Sequence, residues 1–233
     1  LVGGAGNDTM DGQAGNDTLI GGLGNDTLTG GAGVDTVAYT DGTADGLVVN
    51  LTNQGVAGTD TSGSGLGTDT LNTFENVIGS HYDDTITGDG AANVLNGGVG
   101  DDTISGAGGN DTIIGGTGDD TLTGGAGADT FEWNLGDQGS EAVPADDEVT
   151  DFTTGAGGDV LDLADLLVGE HENAASLDAY LDITNAQTPS VISTSSDGDP
   201  EEELNITLDG VTLTGTDQAI INALLTNNLN TDP

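Results

Sequence analysis

Residues 97–132 read GGVGDDTIS, GAGGNDTII, GGTGDDTLT and GGAGADTFE, four consecutive nine-residue units in which glycine, acid and apolar residue return to the same places. Working outward, the register extends back through GSHYDDTIT and GDGAANVLN, residues 79–96. It is found again near the start, as GGAGNDTMD, GQAGNDTLI, GGLGNDTLT and GGAGVDTVA over residues 3–38. Ten units on one strict period make a far stronger signal than any isolated motif.

Each place in the unit has a physical reason. Glycine at the first, second and fourth places permits positive φ and close backbone approach, as a tight turn between stacked strands requires. The sixth place holds the acid: Asp8, Asp17, Asp26 and Asp35, then Asp84, Asn93, Asp102, Asp111, Asp120 and Asp129. The eighth place holds the apolar residue, from Met10, Leu19, Leu28 and Val37 to Ile86, Leu95, Ile104, Ile113, Leu122 and Phe131. One inward side chain between two outward ones is the mark of a short strand.

Nine residues supply one turn and one strand, so two units close one coil of a parallel β-roll. Acids two units apart then stack: Asp8 on Asp26, Asp17 on Asp35, Asp84 on Asp102 and Asp120, and Asn93 on Asp111 and Asp129. Neighbouring strands lie about 4.8 Å apart. Calcium, with oxygen bonds of about 2.3 to 2.6 Å, bridges such a gap using carboxylates and turn carbonyls. Gly4, Gly6, Gly22, Gly24, Gly98, Gly100, Gly116 and Gly118 are the candidate carbonyl donors, and the gaps between stacked acids suggest about six ions.

Composition points the same way. Lys and Arg are absent from all 233 residues while Asp and Glu number 41, so conventional salt bridges cannot form. So many like charges on a compact body oppose folding unless something from outside the sequence neutralises them. The missing basic residues argue against nucleic acid and anionic membrane surfaces as partners. No apolar run is long enough to span a bilayer, and zero cysteine removes disulfides and thiolate metal sites. Glycine-rich and aromatic-poor composition alone suggests disorder; periodicity overrules it.

The unit G-G-x-G-x-D-x-apolar-x resembles the nonapeptide of the RTX (repeats-in-toxin) family. The resemblance implies a right-handed, all-β parallel β-roll with several calcium ions in its turns. Departures stand at Tyr82 and Ala91 in place of the fourth glycine, at Asn93 for the acid, and at Gln13, Ser80, Asp89 and Ala107 for the second glycine. The coil over residues 79–96 is therefore expected to bind calcium most weakly. One apolar residue in nine makes a thin core, too small to offset a backbone ordering cost of about 1 to 2 kcal/mol per residue. Metal must make up the difference, so the chain is expected to unfold without calcium.

Residues 1–38 and 79–132 are read as two arrays. Between them, 39–78 interrupt the period with GLVVNLTN, a glycine-rich tip GTDTSGSGLGTDT and LNTFENVIG, read as a hairpin or strand pairs continuing the roll. Residues 133–233 are read as a C-terminal domain. The stretch around FEWNLGDQGS, VTDFTTGAGGDVLDL resembles the closing region of type I secreted RTX proteins, with Phe131, Trp133, Phe152, Leu161 and Leu163 capping the solenoid. Asp151 and Asp159 flank its glycine turn, either as a further calcium site or as turn caps. Beyond lie a helix over NAASLDAYL from Asn173, a polar turn SSDGDPEEE, strands in ELNITLDG and VTLTG, and a last helix TDQAIINALLTNN capped by Thr216.

Other readings are weaker. Outward threonine ladders occur in ice-binding solenoids, but those resembling this chain carry threonine at the third place, where only Thr117 fits. His81 and His171 sit in no hydrolase spacing, and paired acids such as Asp101 and Asp102 recur at the repeat period, as structural ligands do. The chain is read as non-enzymatic: the calcium-dependent folding and export end of a secreted, cell-surface RTX adhesin, a monomer engaging a type I secretion transporter. The alternative is the tail of a secreted RTX enzyme or toxin. The opening LVGGAGNDT, in mid-repeat, reads as a fragment of a longer protein.

Overall fold

A computed structural model describes residues 1–40, 46–55, 66–134, 136–137, 139–140, 143–163, 181–184, 190–194, 204–209, 211 and 229–230. It is an all-β roll. One face is a nine-stranded sheet whose neighbours run β1 (Val2–Ala5), β3 (Thr18–Leu23), β5 (Thr36–Ala38), β8 (Asn76–Ile78), β10 (Val94–Val99), β12 (Thr112–Thr117), β14 (Thr130–Glu132), β17 (Val160–Asp162) and β21 (Leu229–Asn230). Every pairing in it is parallel. Chain connectivity alternates faces, because a three-residue strand and a six-residue turn bring the backbone back one layer higher on the opposite side.

The opposite face comes in two pieces. β2 (Thr9–Asp11), β4 (Thr27–Thr29) and β7 (Thr70–Asn72) form a three-stranded sheet. A longer sheet runs from β6 (Val48–Asn50) through β9 (Thr85–Thr87), β11 (Thr103–Ser105) and β13 (Thr121–Thr123) to β16 (Val143–Val149), β20 (Leu204–Leu208), β19 (Ser190–Thr194) and β18 (Leu181–Thr184), with β15 (Gly139–Ser140) antiparallel on β16. Register follows the doubled period, as Thr85↔Thr103 and Thr103↔Thr121 illustrate.

The core is the line of eighth-place side chains. Leu19, Leu28, Val37, Leu95, Ile104, Ile113, Leu122 and Phe131 are fully buried, whereas Met10 at the open end is only partly covered. A threonine precedes each except Leu95, which follows Val94, and these preceding residues are less buried than the apolar one, the alternation expected of short half-buried strands.

Between the arrays, the described strands continue the roll in parallel: β6 pairs with β9, β7 with β4, and β8 with both β5 and β10. No hairpin occurs there among the described residues. A 3-10 turn over Leu51–Asn53 follows β6, and Gln54 clamps Phe74 by donating to its carbonyl and accepting its N–H, both at 2.7 Å.

Past Glu132 the ladders carry on through β16, β17 and β21 before the sheet turns antiparallel at β18–β19–β20. Phe131, Trp133, Phe152, Leu161 and Leu163 are all buried, with the Phe131 and Phe152 rings tilted at a centroid distance of 6.1 Å. The two C-terminal helices, the SSDGDPEEE turn and the VTLTG strand lie outside the described residues, except that Leu181, the expected end of the first helix, opens β18, and Val211 lies in no strand. No helix among the described residues is long and apolar enough to cross a membrane.

Candidate metal centres in the turns

Each sixth-place acid joins two coils. Asp102 accepts the Asp84 backbone N–H at 2.7 Å, and its own N–H donates to Asp120 Oδ1 at 2.8 Å. The same link repeats along both edges of the roll. On the first edge Asp8 donates to Asp26 (2.8 Å) and Asp26 to Asp69 (2.8 Å), then Leu47 to Asp84 (2.8 Å) and Asp120 to Asp147 (2.9 Å). On the second edge Asp17 donates to Asp35 (2.9 Å), Asp35 to Glu75 (2.8 Å), Asn93 to Asp111 (2.8 Å), Asp111 to Asp129 (2.9 Å) and Asp129 to Asp159 (2.9 Å). The stacked pairs read from the period are thus brought together.

Three column members escaped the sequence reading: Asp69, Glu75 and Asp147. Asp69 was legible, since Gly65-Leu66-Gly67-Thr68-Asp69-Thr70-Leu71 repeats the unit's turn and strand. It was hidden because the next column acid, Glu75, follows at a spacing of six instead of nine. Asp147 lies beyond the period altogether, in VPADDEV.

The glycines divide into two kinds, where the sequence suggested one. Outside the coil over residues 79–96, second- and fourth-place residues take the left-handed backbone: φ is +105° and +116° at Gly4 and Gly6, +97° and +122° at Gly22 and Gly24, +110° and +120° at Gly98 and Gly100, and +107° and +137° at Gly116 and Gly118. Even Gln13 and Ala107 are forced there, at 74° and 70°. The Gly4 carbonyl oxygen occupies the place a Cβ of Gly22 would take, as do Gly6 for Gly24, Gly98 for Gly116 and Gly100 for Gly118. Turn carbonyls therefore face the neighbouring coil. First-place glycines such as Gly97 and Gly115 are not left-handed; there the unit's own carboxylate, Asp102 or Asp120, fills the Cβ position.

That packing leaves one carboxylate oxygen stranded. Oδ2 of Asp8, Asp17, Asp26, Asp35, Asp102, Asp111, Asp120 and Asp129 is buried with no hydrogen-bond donor. Burial pushes Asp102 up to about 8 and Asp111 and Asp120 to about 6, with neighbouring carboxylates adding to the push. Asp84, Asp129 and Asp159 are raised for the same first reason. An uncompensated buried charge is costly, so the arrangement calls for a cation.

The donors fit calcium. Among the described residues no three acidic or imidazole side chains converge, so an ion would take one carboxylate per unit together with turn carbonyls, an all-oxygen set of the kind calcium prefers. Asp8, Asp17, Asp26, Asp35, Asp102, Asp111, Asp120 and Asp129 would hold it with the second- and fourth-place carbonyls.

The coil over residues 79–96 is built differently. Asp84 has both oxygens engaged, Oδ2 by the Ser80 N–H (2.6 Å) and Oδ1 by the Leu47 N–H (2.8 Å) and the Ser80 hydroxyl (2.9 Å). Asn93 accepts the Asp89 N–H at 2.8 Å and donates to the Glu75 carbonyl at 2.7 Å. In this coil the second-place Ser80 and Asp89 satisfy the sixth-place side chain with their backbone N–H groups, Ser80 adding its hydroxyl.

At the far end, Asp151 accepts the Gly124 and Gly125 N–H groups at 2.9 and 2.8 Å, one on each oxygen. Asp159 accepts from Asp129 and, at 2.6 Å, from Thr153. Both cap the stacked turns. Asp147, nearly inaccessible, accepts Trp133 Nε1–H at 2.7 Å on its second oxygen, and burial pushes it up to about 7.

Residues 2–37, 74–104 and 105–137 match the family model of the RTX calcium-binding nonapeptide repeat. No curated protein matches the chain. Among solved structures it is similar to two subunits of the mannuronan C5-epimerase of Azotobacter vinelandii. For AlgE6R3 the identity is 28%, covering 57% of this chain and 74% of that one, with a TM-score of 0.46. For AlgE6R2 it is 29%, covering 66% and 92%, with a TM-score of 0.47. It is also similar to the extracellular lipase LipA of Serratia marcescens, at 21% identity over 92% of this chain but 38% of that one, TM-score 0.41.

Proposed function

We propose, from the premise that both arrays are RTX calcium-binding repeats, that this chain is a non-catalytic folding and export module of a secreted RTX protein of the adhesin type. The observation that carries the reading is the set of buried, donorless Asp Oδ2 atoms in a chain with no Lys or Arg. In calcium-poor cytosol those charges favour the extended chain, which a narrow transporter accepts. Outside the cell, calcium fills the turns, the coils stack, and the compact product opposes backsliding. Residues 133–233 then engage the type I secretion transporter and close the roll, and the exported product is a monomer at the cell surface.

The test is export of a passenger fused ahead of residue 1 in cells carrying a type I transporter. The passenger is expected in the medium with the full chain and retained in the cell when residues 133–233 are removed. Retention with the full chain, or undiminished export without those residues, would refute the export role.

A further inference from the structure

Beside each column acid stands the fifth-place residue, and the two edges of the second array treat it differently. At Asn7, Asn16, Asn25 and Asn110 the amide oxygen accepts an N–H from the next coil, from Asn25, Val34, Thr68 and Ala128, each at 3.1 Å. On the first edge of the second array carboxylates make that bond: Asp83 accepts from Asp101, Asp101 from Asp119 and Asp119 from Asp146, each at 3.0 Å, and Asp146 accepts Asn205 Nδ2–H at 2.7 Å. All four acids are exposed.

The hydrogen bond does not need the charge, because a neutral amide makes it elsewhere in the same molecule. In a metal-free stack the charge is a pure cost, since each outer acid precedes a buried one: Asp84, Asp102, Asp120 and Asp147. Asp102 and Asp120 are each 1% exposed, with Oδ2 lacking any donor. On the opposite edge the fifth places hold Ala92, Asn110 and Ala128.

We propose that Asp83, Asp101 and Asp119 set the calcium affinity of their edge, making it fill ahead of the opposite one. This rests on the calcium reading above and goes beyond it by assigning a role to side chains outside the buried columns. Their negative field adds to the attraction for a divalent ion a few ångströms inward without occupying its inner coordination.

Calorimetric titration of the full chain with calcium chloride, beside the D83N/D101N/D119N variant, tests it. Asn keeps the coil-to-coil hydrogen bond, so the number of ions bound should hold while the tighter class weakens by about threefold to tenfold. That difference should shrink as sodium chloride is raised. Unchanged affinity, or a loss insensitive to salt, overturns the proposal. Asn110→Asp supplies the reciprocal arm, adding a carboxylate to the second edge; it should tighten binding there, and a neutral or weakening effect overturns the proposal even if the triple variant folds poorly. A wild-type chain that takes up no calcium would sink the function above as well, whereas intact binding unaltered by these substitutions sinks this inference alone.

Discussion

Asp102 accepts the backbone N–H of Asp84 at 2.7 Å through one oxygen, while its other oxygen is buried without a donor. The first contact stacks the coils and the second sets the cost of stacking them. One side chain thus promotes the fold and opposes it, and the balance is decided by a cation.

Asp102→Asn should therefore act with opposite signs in two media. In chelator the variant is expected to be more stable than the wild type, because a buried charge is gone and the amide oxygen still serves Asp84. In calcium it should bind about one ion fewer and melt lower. Thermal melts in calcium give the second sign, and strand content by circular dichroism of the two chains in chelator gives the first.

Acid should have a similar double effect. The column acids hold their protons in the metal-free roll up to about 6 for Asp111 and Asp120 and about 8 for Asp102, whereas the unfolded chain releases them near 3.8. A raised folded value contributes stability that is complete below about pH 4 and lost as pH climbs through 6 to 8. In chelator, strand content is expected to grow as pH falls from 8 to 4. With calcium present, protons compete for the same oxygens, so ion binding weakens over that descent. Circular dichroism and a calcium electrode follow the two.

The glycine places should separate by what surrounds them. Gly116→Ala combines a left-handed backbone with a Cβ driven onto the Gly98 carbonyl, and is expected to cost about 2 to 4 kcal/mol. Gly6→Ala, at the open end with nothing within 4 Å of its Cβ, should cost only about 1 kcal/mol of backbone strain. Denaturant titration in saturating calcium compares them; equal costs would contradict the stacked-carbonyl geometry.

Trp133 is the sole tryptophan and its indole N–H meets buried Asp147 at 2.7 Å. Trp133→Phe removes that donor and is expected to destabilise by about 2 kcal/mol. In the wild type, indole fluorescence should shift to shorter wavelength as calcium is added, reporting closure of the end of the roll.

What the sequence made legible was whatever obeys the nine-residue clock. Leu19 to Phe131 fell into the core and Asp8 to Asp129 into columns because identical turns must stack in identical register. Asp69 and Glu75 were missed because a six-residue spacing breaks the clock while geometry still returns each to its column. Asp147 was missed because the intervening residues bear no period; only its contacts with Asp120 and Trp133 reveal it. The inward turn of Ser80 onto Asp84 explains in structure what the sequence showed only as a lost glycine. Strands β18 and β19 carried no turn signal strong enough to place an antiparallel sheet after a parallel one.

The most direct measurement is circular dichroism of the metal-stripped chain at neutral pH, with bound calcium counted on the same samples as the ion is returned. Strand structure is expected to be lost in chelator and recovered in step with the calcium bound. A metal-free chain retaining its full strand signal would contradict this.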